Sequence, residues 1–260
     1  MTNYILFFLV ILLSNIIQGI TGFAGTILAM PFSLMLVGYP VAKPVLNVLG
    51  LMSGIYVFCG HKKDVCWKEL KKIVVIMAVG IIGGIMIKGM FAGREQMLYK
   101  LLGVFVIFLS LQGVYKEMRG SRNKEKAAGD QAAEENVTDG AAKDSPALYL
   151  ILVMSGIVHG IFVGGGPLLI GYLTKKIKDK VSFRATISTV WVFLNTMILI
   201  DDVRSGLWNM SLIRVWVVTI PFLLAGMYLG TKLYARMSQH LFMMISYALL
   251  FISGVSLLVK

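Results

Sequence analysis

The sequence is poor in the residues from which disulfide frameworks, metal sites and hydrolytic active sites are built. It has two cysteines and three histidines in 260 residues. Cys59 and Cys66 flank a lysine-rich loop with His61 between them, a spacing that matches neither a disulfide framework nor a zinc site. The apolar stretches contain no paired carboxylates, and the chain has no nucleophile elbow and no Walker loop. We therefore expect no catalytic site, no cofactor and no metal ion.

Charged residues are also scarce, at 15% of the chain, whereas 57% of the residues are hydrophobic. The mean hydropathy is +0.80, and no water-soluble domain can bury that much apolar surface. Several apolar runs reach about 17–25 residues, enough to cross a hydrocarbon core roughly 30 Å thick. The N-terminus lacks a basic leader and a cleavage site, so we expect residues 4–20 to belong to the mature fold. The composition predicts an all-α polytopic membrane protein in a lipid bilayer.

The charges that are present are mostly positive, with 25 Lys and Arg against 13 Asp and Glu, a net charge of +12. They lie mainly in short loops, as expected where positive loops stay in the cytoplasm. No basic stripe interleaved with aromatics is present, so nucleic acid is not an expected partner. Asp201 and Asp202 stand together near a helix end, where we expect a solvated loop.

A polar segment divides the chain into two similar halves. Residues 117–146 are rich in charged and small residues and lack an apolar period, which is typical of a disordered linker. We assign residues 1–116 and 147–260 to two transmembrane repeats and the segment between them to a cytoplasmic linker. A shift of about 141 positions matches unusual residues of the two halves, including Trp67 with Trp208 and Gly113 with Gly254.

Each half contains a glycine-rich break at the matching place. The first is Gln18-Gly-Ile-Thr-Gly-Phe-Ala-Gly25, and the second is His159-Gly-Ile-Phe-Val-Gly-Gly-Gly166, followed by Pro167. A broken helix survives in lipid only where it is buried in protein or lines a polar cavity. Discontinuous helices in matching positions of two halves point to a transporter binding site.

Loops rich in Lys and Arg in one half correspond to loops with few basic residues in the other. This indicates that the two halves are inserted in the membrane in opposite senses. The predicted fold is therefore two inverted repeats, each a glycine-broken helical hairpin plus three transmembrane helices, with both termini outside. Whether the first break is a re-entrant hairpin or joins two short spans stays open. The hairpins are placed at residues 4–37 and 147–172, a lysine-rich loop at 61–72, and the spanning helices at 44–60, 73–91, 97–115, 184–200, 212–232 and 240–259.

The candidate substrate-binding residues cluster at the breaks and at the starts of the equivalent helices that follow them. Glycines let a backbone approach a ligand, and N–H groups at helix N-termini attract anions; the alternative is that these glycines only permit tight helix crossing. Gln18 and His159 either bind substrate or tie down a broken helix end, and Lys43 and Arg184 either attract anions or reach for lipid headgroups. We also expect Asn195 to join helices. The candidates are Gln18, Gly19, Thr21, Gly22, Gly25, Lys43, Asn47, His159, Gly160, Gly164, Gly165, Gly166, Arg184 and Ser188.

Three stretches resemble a known family: Ile20-Thr-Gly-Phe-Ala-Gly-Thr-Ile-Leu-Ala-Met-Pro31, Gly160-Ile-Phe-Val-Gly-Gly-Gly-Pro-Leu-Leu169 and Arg184-Ala-Thr-Ile-Ser188. They are similar to the TauE/SafE sulfite exporter family, with departures at Ala24 and at Lys43-Pro-Val-Leu-Asn47. The resemblance implies a secondary transporter of sulfite, a sulfonate or another organosulfur acid. We expect an inner-membrane carrier working by alternating access, with protons or Na⁺ as possible coupling ions. The rival hypotheses are a membrane assembly or binding factor that moves no solute, and a metal-ion permease.

Overall fold

The described residues of the chain are almost entirely helical and contain no strand. The computed structural model describes residues 2–22, 24–90, 146–177 and 179–234, with single residues and short runs at 97–115 and after 247. The helices with full bounds are α1 (Thr2–Thr21), α2 (Gly25–Val37), α3 (Tyr39–His61), α4 (Trp67–Met90), α5 (Pro146–Phe162), α6 (Gly166–Lys176), α7 (Lys180–Arg204) and α8 (Met210–Tyr234), with a 3₁₀ turn at Lys62–Asp64.

Five of these helices, α1, α3, α4, α7 and α8, are long and apolar enough to cross a membrane. The all-α polytopic class predicted from composition is confirmed. The structure describes most of the predicted helix at 97–115 but only single residues and one pair of the predicted helix at 240–259, and all of these residues are helical. The predicted linker also lies outside the described residues except for Pro146, where α5 begins.

Both glycine-rich stretches interrupt a helix, as predicted. The first break separates Thr21 from Gly25, and the second separates Phe162 from Gly166. The limbs differ in length, because α1 has 20 residues and α2 has 13, whereas α5 has 17 and α6 has 11. At a rise of about 1.5 Å per residue, α1 alone is about 30 Å long and can span the hydrocarbon core, whereas α6 reaches only about halfway.

The predicted starts of α3 and α4 were too late. α3 begins at Tyr39 and not at Pro44, because Pro40 supplies a favourable first turn and Pro44 lies inside the helix at the cost of one backbone hydrogen bond. α4 begins at Trp67, so the predicted loop at 61–72 is a short turn between helices.

The N-terminus of α7 lies at Lys180, four residues before the predicted start. The carboxylate of Asp179 accepts a hydrogen bond from the Ser182 N–H at 2.8 Å and so caps the helix. This bond to the Ser182 backbone, with a second to its hydroxyl, holds the pKa of the Asp179 carboxyl below its usual value.

The expectation that Asp201 and Asp202 lie in a solvated loop was wrong. Both belong to α7, which continues to Arg204, and Asp202 is completely buried. A partner within the protein replaces solvent around this carboxylate, as described below.

Helices α3 and α7, which the predicted repeat makes equivalent, pack against each other in the core. The amide of Asn47 on α3 donates to the Asn195 carbonyl on α7 at 3.0 Å. A Cβ built on Gly54, further along α3, would lie 2.8 Å from the carbonyl oxygen of Ser188, which comes earlier along α7. The contacting residues have rising numbers along α3 and falling numbers along α7, so the two helices run antiparallel.

Each hairpin packs against the last described long helix of the other half. A Cβ on Gly80 of α4 would lie 2.3 Å from the Val153 carbonyl oxygen of α5, and one on Gly84 would lie 2.4 Å from that of Ile157. On the other side, α8 meets α1 through the matching glycine contacts. A Cβ on Gly226 would lie 2.7 Å from the oxygen of Leu12, and one on Gly230 would lie 2.2 Å from that of Ile16. Because positions rise together in both pairs, α4 runs parallel to α5 and α1 runs parallel to α8.

Candidate functional site

The two helix breaks meet at a small cavity in the core, here called the central cavity. The space open to the centre of a water molecule within it is ≈ 20 Å³, enough for roughly one water. The first hairpin, the second hairpin, α3 and α7 all contribute to its wall. The lining residues are Gln18, Thr26, Ile27, Gly50, His159, Val163, Gly164, Gly166, Trp191 and Asn195.

The most polar part of the wall is a cluster formed by His159 of α5 with two residues of α7. His159 Nε2 lies 2.8 Å from Asn195 Oδ1, and its ring lies 4.9 Å from the Trp191 ring, centroid to centroid. Because Asn195 Oδ1 is an acceptor, Nε2 carries the hydrogen in this pair. His159 Nδ1 is buried and has no hydrogen-bond partner among the described residues.

Gln18 holds the first break together from the end of α1. Its Oε1 accepts a hydrogen bond from the Gly25 N–H at 2.8 Å, which caps the N-terminus of α2, and its Nε2 donates to Ser53 Oγ at 3.3 Å. A Cβ on Gly25 would lie 2.6 Å from Gln18 Cβ, so only glycine lets the two limbs approach this closely. Gln18 therefore both ties down a broken helix and faces the cavity.

The second break is held by Ser155, one turn before His159. Its hydroxyl donates to the carbonyl oxygen of Gly165 at 2.7 Å. A Cβ on Gly165 would lie 2.3 Å from the Ser155 carbonyl oxygen, so this glycine is again a contact between limbs. Val163, at the turn, has a φ of 54°, which is costly for a β-branched residue. By contrast, a Cβ on Gly164 would meet only Ile27 and the Phe162 carbonyl, at 3.7 Å or more.

The carbonyl end of each broken helix receives a donor from the opposite half of the chain. Arg184 Nη2, at the start of α7, donates to the Gly19 carbonyl of α1 at 3.1 Å. The hydroxyl of Tyr39, at the start of α3, donates to the Ile161 carbonyl of α5. A donor or cation at a helix C-terminus is favourable, because the last carbonyls lack partners and the dipole is negative there.

Arg184 is half-buried beside the first break. Its Cγ would lie 3.2 Å from a Cβ on Gly22, where φ is 79° and glycine is the residue best suited to the backbone. Ser188 Oγ is the next nearest group to that position, at 3.5 Å, and has no partner among the described residues. Arg184, Ser188 and Gly22 therefore form a second polar patch next to the central cavity.

Lys43 takes part in a buried ion pair with Asp202. The two side chains are both fully buried and in direct contact, and Asp201 Oδ2 lies 3.8 Å from the same ammonium. Lys43 therefore neither reaches for headgroups nor stands as an open cationic mouth, which were the two hypotheses considered for it. The carboxylate of Asp202 compensates its charge inside the protein.

The structure thus sorts the predicted site residues into several places. Gln18, His159, Gly164 and Gly166 line the central cavity, and Asn47 is bonded to the Asn195 backbone beside it. The side-chain amide oxygen of Asn47 is buried without a partner among the described residues.

The remaining candidates lie away from the cavity wall. Gly19 and Gly160 lie at helix crossings, where a Cβ would come within 2.8 Å and 2.7 Å of carbonyl oxygens of Met227 and Ile81. They fit the helix-crossing interpretation of the glycines. Thr21 ends α1, and its side chain is outside the described part of the chain.

Sequence reasoning missed Ile27, Gly50, Val163 and Trp191 as cavity residues, and it treated Asn195 only as a contact between helices. A signal was available on α7. Arg184, Ser188, Trp191 and Asn195 follow one another at intervals of four, three and four residues, which places them on one helix face. In a helix that crosses lipid, such a stripe of polar and aromatic residues indicates the face turned toward the protein interior.

Among the described residues, no group of three or more His, Cys, Asp or Glu side chains lies close enough to hold a metal ion. In comparison with known protein families, the family model described as "Sulfite exporter TauE/SafE" matches residues 7–257. No curated protein and no solved structure matches the chain.

Proposed function

Because the chain belongs to the TauE/SafE sulfite exporter family, and is thus a multi-pass membrane transporter of small anions, we propose that it carries sulfite, a sulfonate or another small organosulfur acid. The proposed mechanism is secondary transport by alternating access, with the central cavity as the substrate site. Members of this family are transporters and not enzymes.

The observation that carries this proposal is the meeting of the two helix breaks at one polar cavity. Thr26 and Gly166 belong to the first turns of α2 and α6, where backbone N–H groups lack partners within the helix. Together with the dipoles of two helices, such groups favour a negative charge. Gln18, His159 and Asn195 add side chains that can donate hydrogen bonds to oxyanion oxygens.

The size of the cavity supports a mechanism in which the hairpins move. A volume of ≈ 20 Å³ suits about one water molecule, and a sulfonate group is larger. The two breaks must therefore separate to admit an anion. Movement of one hairpin relative to the other would open the cavity to one face of the membrane at a time.

The direction of helix packing supports the inverted repeat. The equivalent helices α3 and α7 run antiparallel, and the equivalent pairs α1–α8 and α5–α4 are both parallel. The contact of Asn47 with the Asn195 backbone has its counterpart, after the shift of 141, in the contact of Ser188 with Gly54. This is the relation expected of two halves related by a two-fold axis in the membrane plane.

The lysine-rich turns support the proposed orientation in an inner membrane. The Cys66 N–H, at the start of α4, donates to Thr186 Oγ1, at the start of α7, at 2.9 Å. Tyr172 of α6 donates to Glu69 of α4 at 2.8 Å. The basic segments 61–72 and 174–184 therefore lie at the same end of the molecule, which the positive-inside rule places in the cytoplasm.

The rival hypotheses account for less of the geometry. A non-transporting assembly factor would need the glycines packed against helices, which is true of Gly19 and Gly160, but it would not need polar groups converging on a cavity. A metal permease would need clustered metal ligands, and the described residues contain no such cluster.

A thermal-shift screen of the purified protein against sulfite, thiosulfate, small sulfonates and small carboxylates tests the proposal. We expect a raised Tm with sulfur oxyanions, because a ligand that binds only the folded state stabilises it. Asn195→Asp should abolish the shift by placing a carboxylate in the cavity. Asn209→Asp is the matched control, since Asn209 caps α8 through Oδ1 at 2.9 Å from the Leu212 nitrogen and a carboxylate preserves that bond. Equal shifts in the wild type and Asn195→Asp would place the anion elsewhere.

A further inference from the structure

We propose that His159 carries the coupling proton, so that the anion binds together with a proton on His159 Nδ1 and the two cross the membrane as a pair. This inference rests on the proposed function and names its coupling ion. It assigns a chemical role to one ring nitrogen that makes no bond to the described protein.

The geometry separates the two nitrogens of the ring. Nε2 is committed to Asn195 Oδ1 at 2.8 Å, which orients the imidazole and places a hydrogen on Nε2. Nδ1 is then the acceptor of a neutral ring, buried and without a partner among the described residues. Such a group is rare in a folded protein unless a ligand or water completes it. Proton uptake converts Nδ1 from an acceptor into a donor that can bond an anion.

The charges around the ring make the anion the required partner of the protonated form. On α7 the ring faces Asn195 and Trp191, and on α1 it shares the cavity with Gln18. A Cβ on Gly165, just before α6, would lie 2.9 Å from the Cβ of His159. None of the residues lining the central cavity is acidic.

Two ionisable side chains approach His159 from α3, and neither supplies a counter-charge. The Lys43 ammonium acts on the imidazole through space, but it is paired with Asp202 and lies 3.8 Å from Asp201. The Tyr39 hydroxyl donates to the Ile161 backbone. From α4, the residues nearest Gly156 and Gly160, on either side of His159, are Met77, Gly80 and Ile81, none of them ionisable. A buried imidazolium without a counter-charge is costly, so an anion in the cavity and a proton on the ring stabilise each other.

The proton balance is simple. A proton from water at the open face adds to the Nδ1 lone pair, and the imidazolium then holds the anion through an Nδ1–H bond. When the cavity opens to the other face, the anion leaves and the proton returns to water from Nδ1. One proton accompanies one negative charge, and no covalent bond to the anion forms or breaks.

Trp191 offers a direct test, because its ring lies 4.9 Å from the His159 ring and a protonated imidazole quenches a neighbouring indole. The chain has four tryptophans, and changing Trp67, Trp208 and Trp216 to Phe leaves Trp191 as the only tryptophan, which light at the red edge of the indole absorption band excites without the tyrosines. Methanesulfonate is the probe, since it stays fully ionised between pH 5 and pH 9 and adds no titration of its own.

We expect Trp191 fluorescence to fall as pH is lowered, and methanesulfonate to move the midpoint of this titration to higher pH. If the anion binds only the protonated form, the shift approaches about two pH units at an anion concentration 100-fold above its Kd. His159→Gln should remove the titration. Glutamine is the residue that the first half has at the matching position, Gln18. His61→Gln, at an exposed histidine beside Asp64, should leave it intact.

The second measurement uses the unmodified protein in proteoliposomes. An imposed proton gradient should drive methanesulfonate accumulation in the wild type and in His61→Gln, whereas His159→Gln should lose the response to the gradient. A titration midpoint unchanged by the anion, or gradient-driven accumulation that survives in His159→Gln, would overturn the assignment of the proton to His159. If the wild type neither binds nor exchanges any of the screened anions, the proposed function fails, and this inference falls with it. Exchange that ignores the proton gradient refutes only the coupling.

Discussion

The buried ion pair between Lys43 and Asp202 gives the sharpest prediction about stability. Both side chains are fully buried, so removing either one leaves a charge in the core that solvent cannot reach. Breaking a buried pair in this way costs about 3–5 kcal/mol, whereas replacing both partners by apolar residues is often neutral or stabilising. The variants are Lys43→Met, Asp202→Leu and the double replacement.

The two single variants should differ in a predictable order. Lys43→Met removes the ammonium that contacts the buried Asp202 carboxylate and should reach the full penalty. Asp202→Leu leaves Lys43 within 3.8 Å of Asp201, which is partly exposed at 19% and can compensate some of the charge. Its cost should therefore lie toward the lower end. The free energy of unfolding of the double variant should lie within about 1 kcal/mol of the wild-type value, or above it.

Thermal unfolding in detergent, followed by intrinsic fluorescence, measures these differences. For a chain of this size about 2–4 °C of Tm corresponds to 1 kcal/mol, so Lys43→Met should lower the Tm by about 6–20 °C. Lys72→Met is the matched control, because Lys72 is more exposed, at 23%, and bonds Glu69 at 3.3 Å; it should cost less than about 1 kcal/mol. A Lys43→Met loss no larger than the control, or a double variant as unstable as the two singles combined, would refute the role of this pair.

The remaining predictions concern the hairpins, the second polar patch and the topology. Gly165→Ala should lower the Tm strongly, because its Cβ would lie 2.3 Å from a backbone oxygen. Gly164→Ala, whose Cβ would have contacts no closer than 3.7 Å, should have the Tm of the wild type. Equal Tm values for the two variants would contradict the packing of the second break. Arg184→Gln should weaken anion binding about tenfold or more by isothermal titration, as expected for loss of a charged donor, and an unchanged Kd would make Arg184 only a cap for α1. Reporter fusions at Lys260 and within residues 121–143 should report opposite sides of the membrane, and the same side for both would exclude the inverted arrangement.

The breaks could be predicted from sequence because their causes are local. Clustered glycines and Pro167 disfavour a continuous helix whatever surrounds them. The same reasoning misplaced the starts of α3 and α4. A proline or a run of lysines interrupts a helix in many sequences. Here the first turns of α3 accommodate the proline, and those of α4 accommodate the lysines.

The buried ion pair could not be predicted, because it depends on packing between distant segments. Lys43 and Asp202 are 159 residues apart, and they meet only because α3 and α7 run antiparallel in one particular register. Sequence alone likewise could not separate Gly19 and Gly160, which lie at helix crossings, from Gly164 and Gly166, which line the cavity. All four are glycines next to a break, and only the neighbouring helix distinguishes them.

The central claim is that a small sulfur-containing anion crosses the membrane through the cavity between the two breaks. Thr26 lines that cavity and is half-buried, so a cysteine there can be modified from solution once Cys59 and Cys66 are replaced by serine. Counterflow of labelled methanesulfonate in proteoliposomes should proceed in Thr26→Cys, stop after reaction with a small anionic thiosulfonate reagent, and be protected from that reaction by excess unlabelled anion. Ser205→Cys, at the exposed C-cap of α7, should keep its exchange after complete modification. Undiminished counterflow through fully modified Thr26→Cys would contradict the claim.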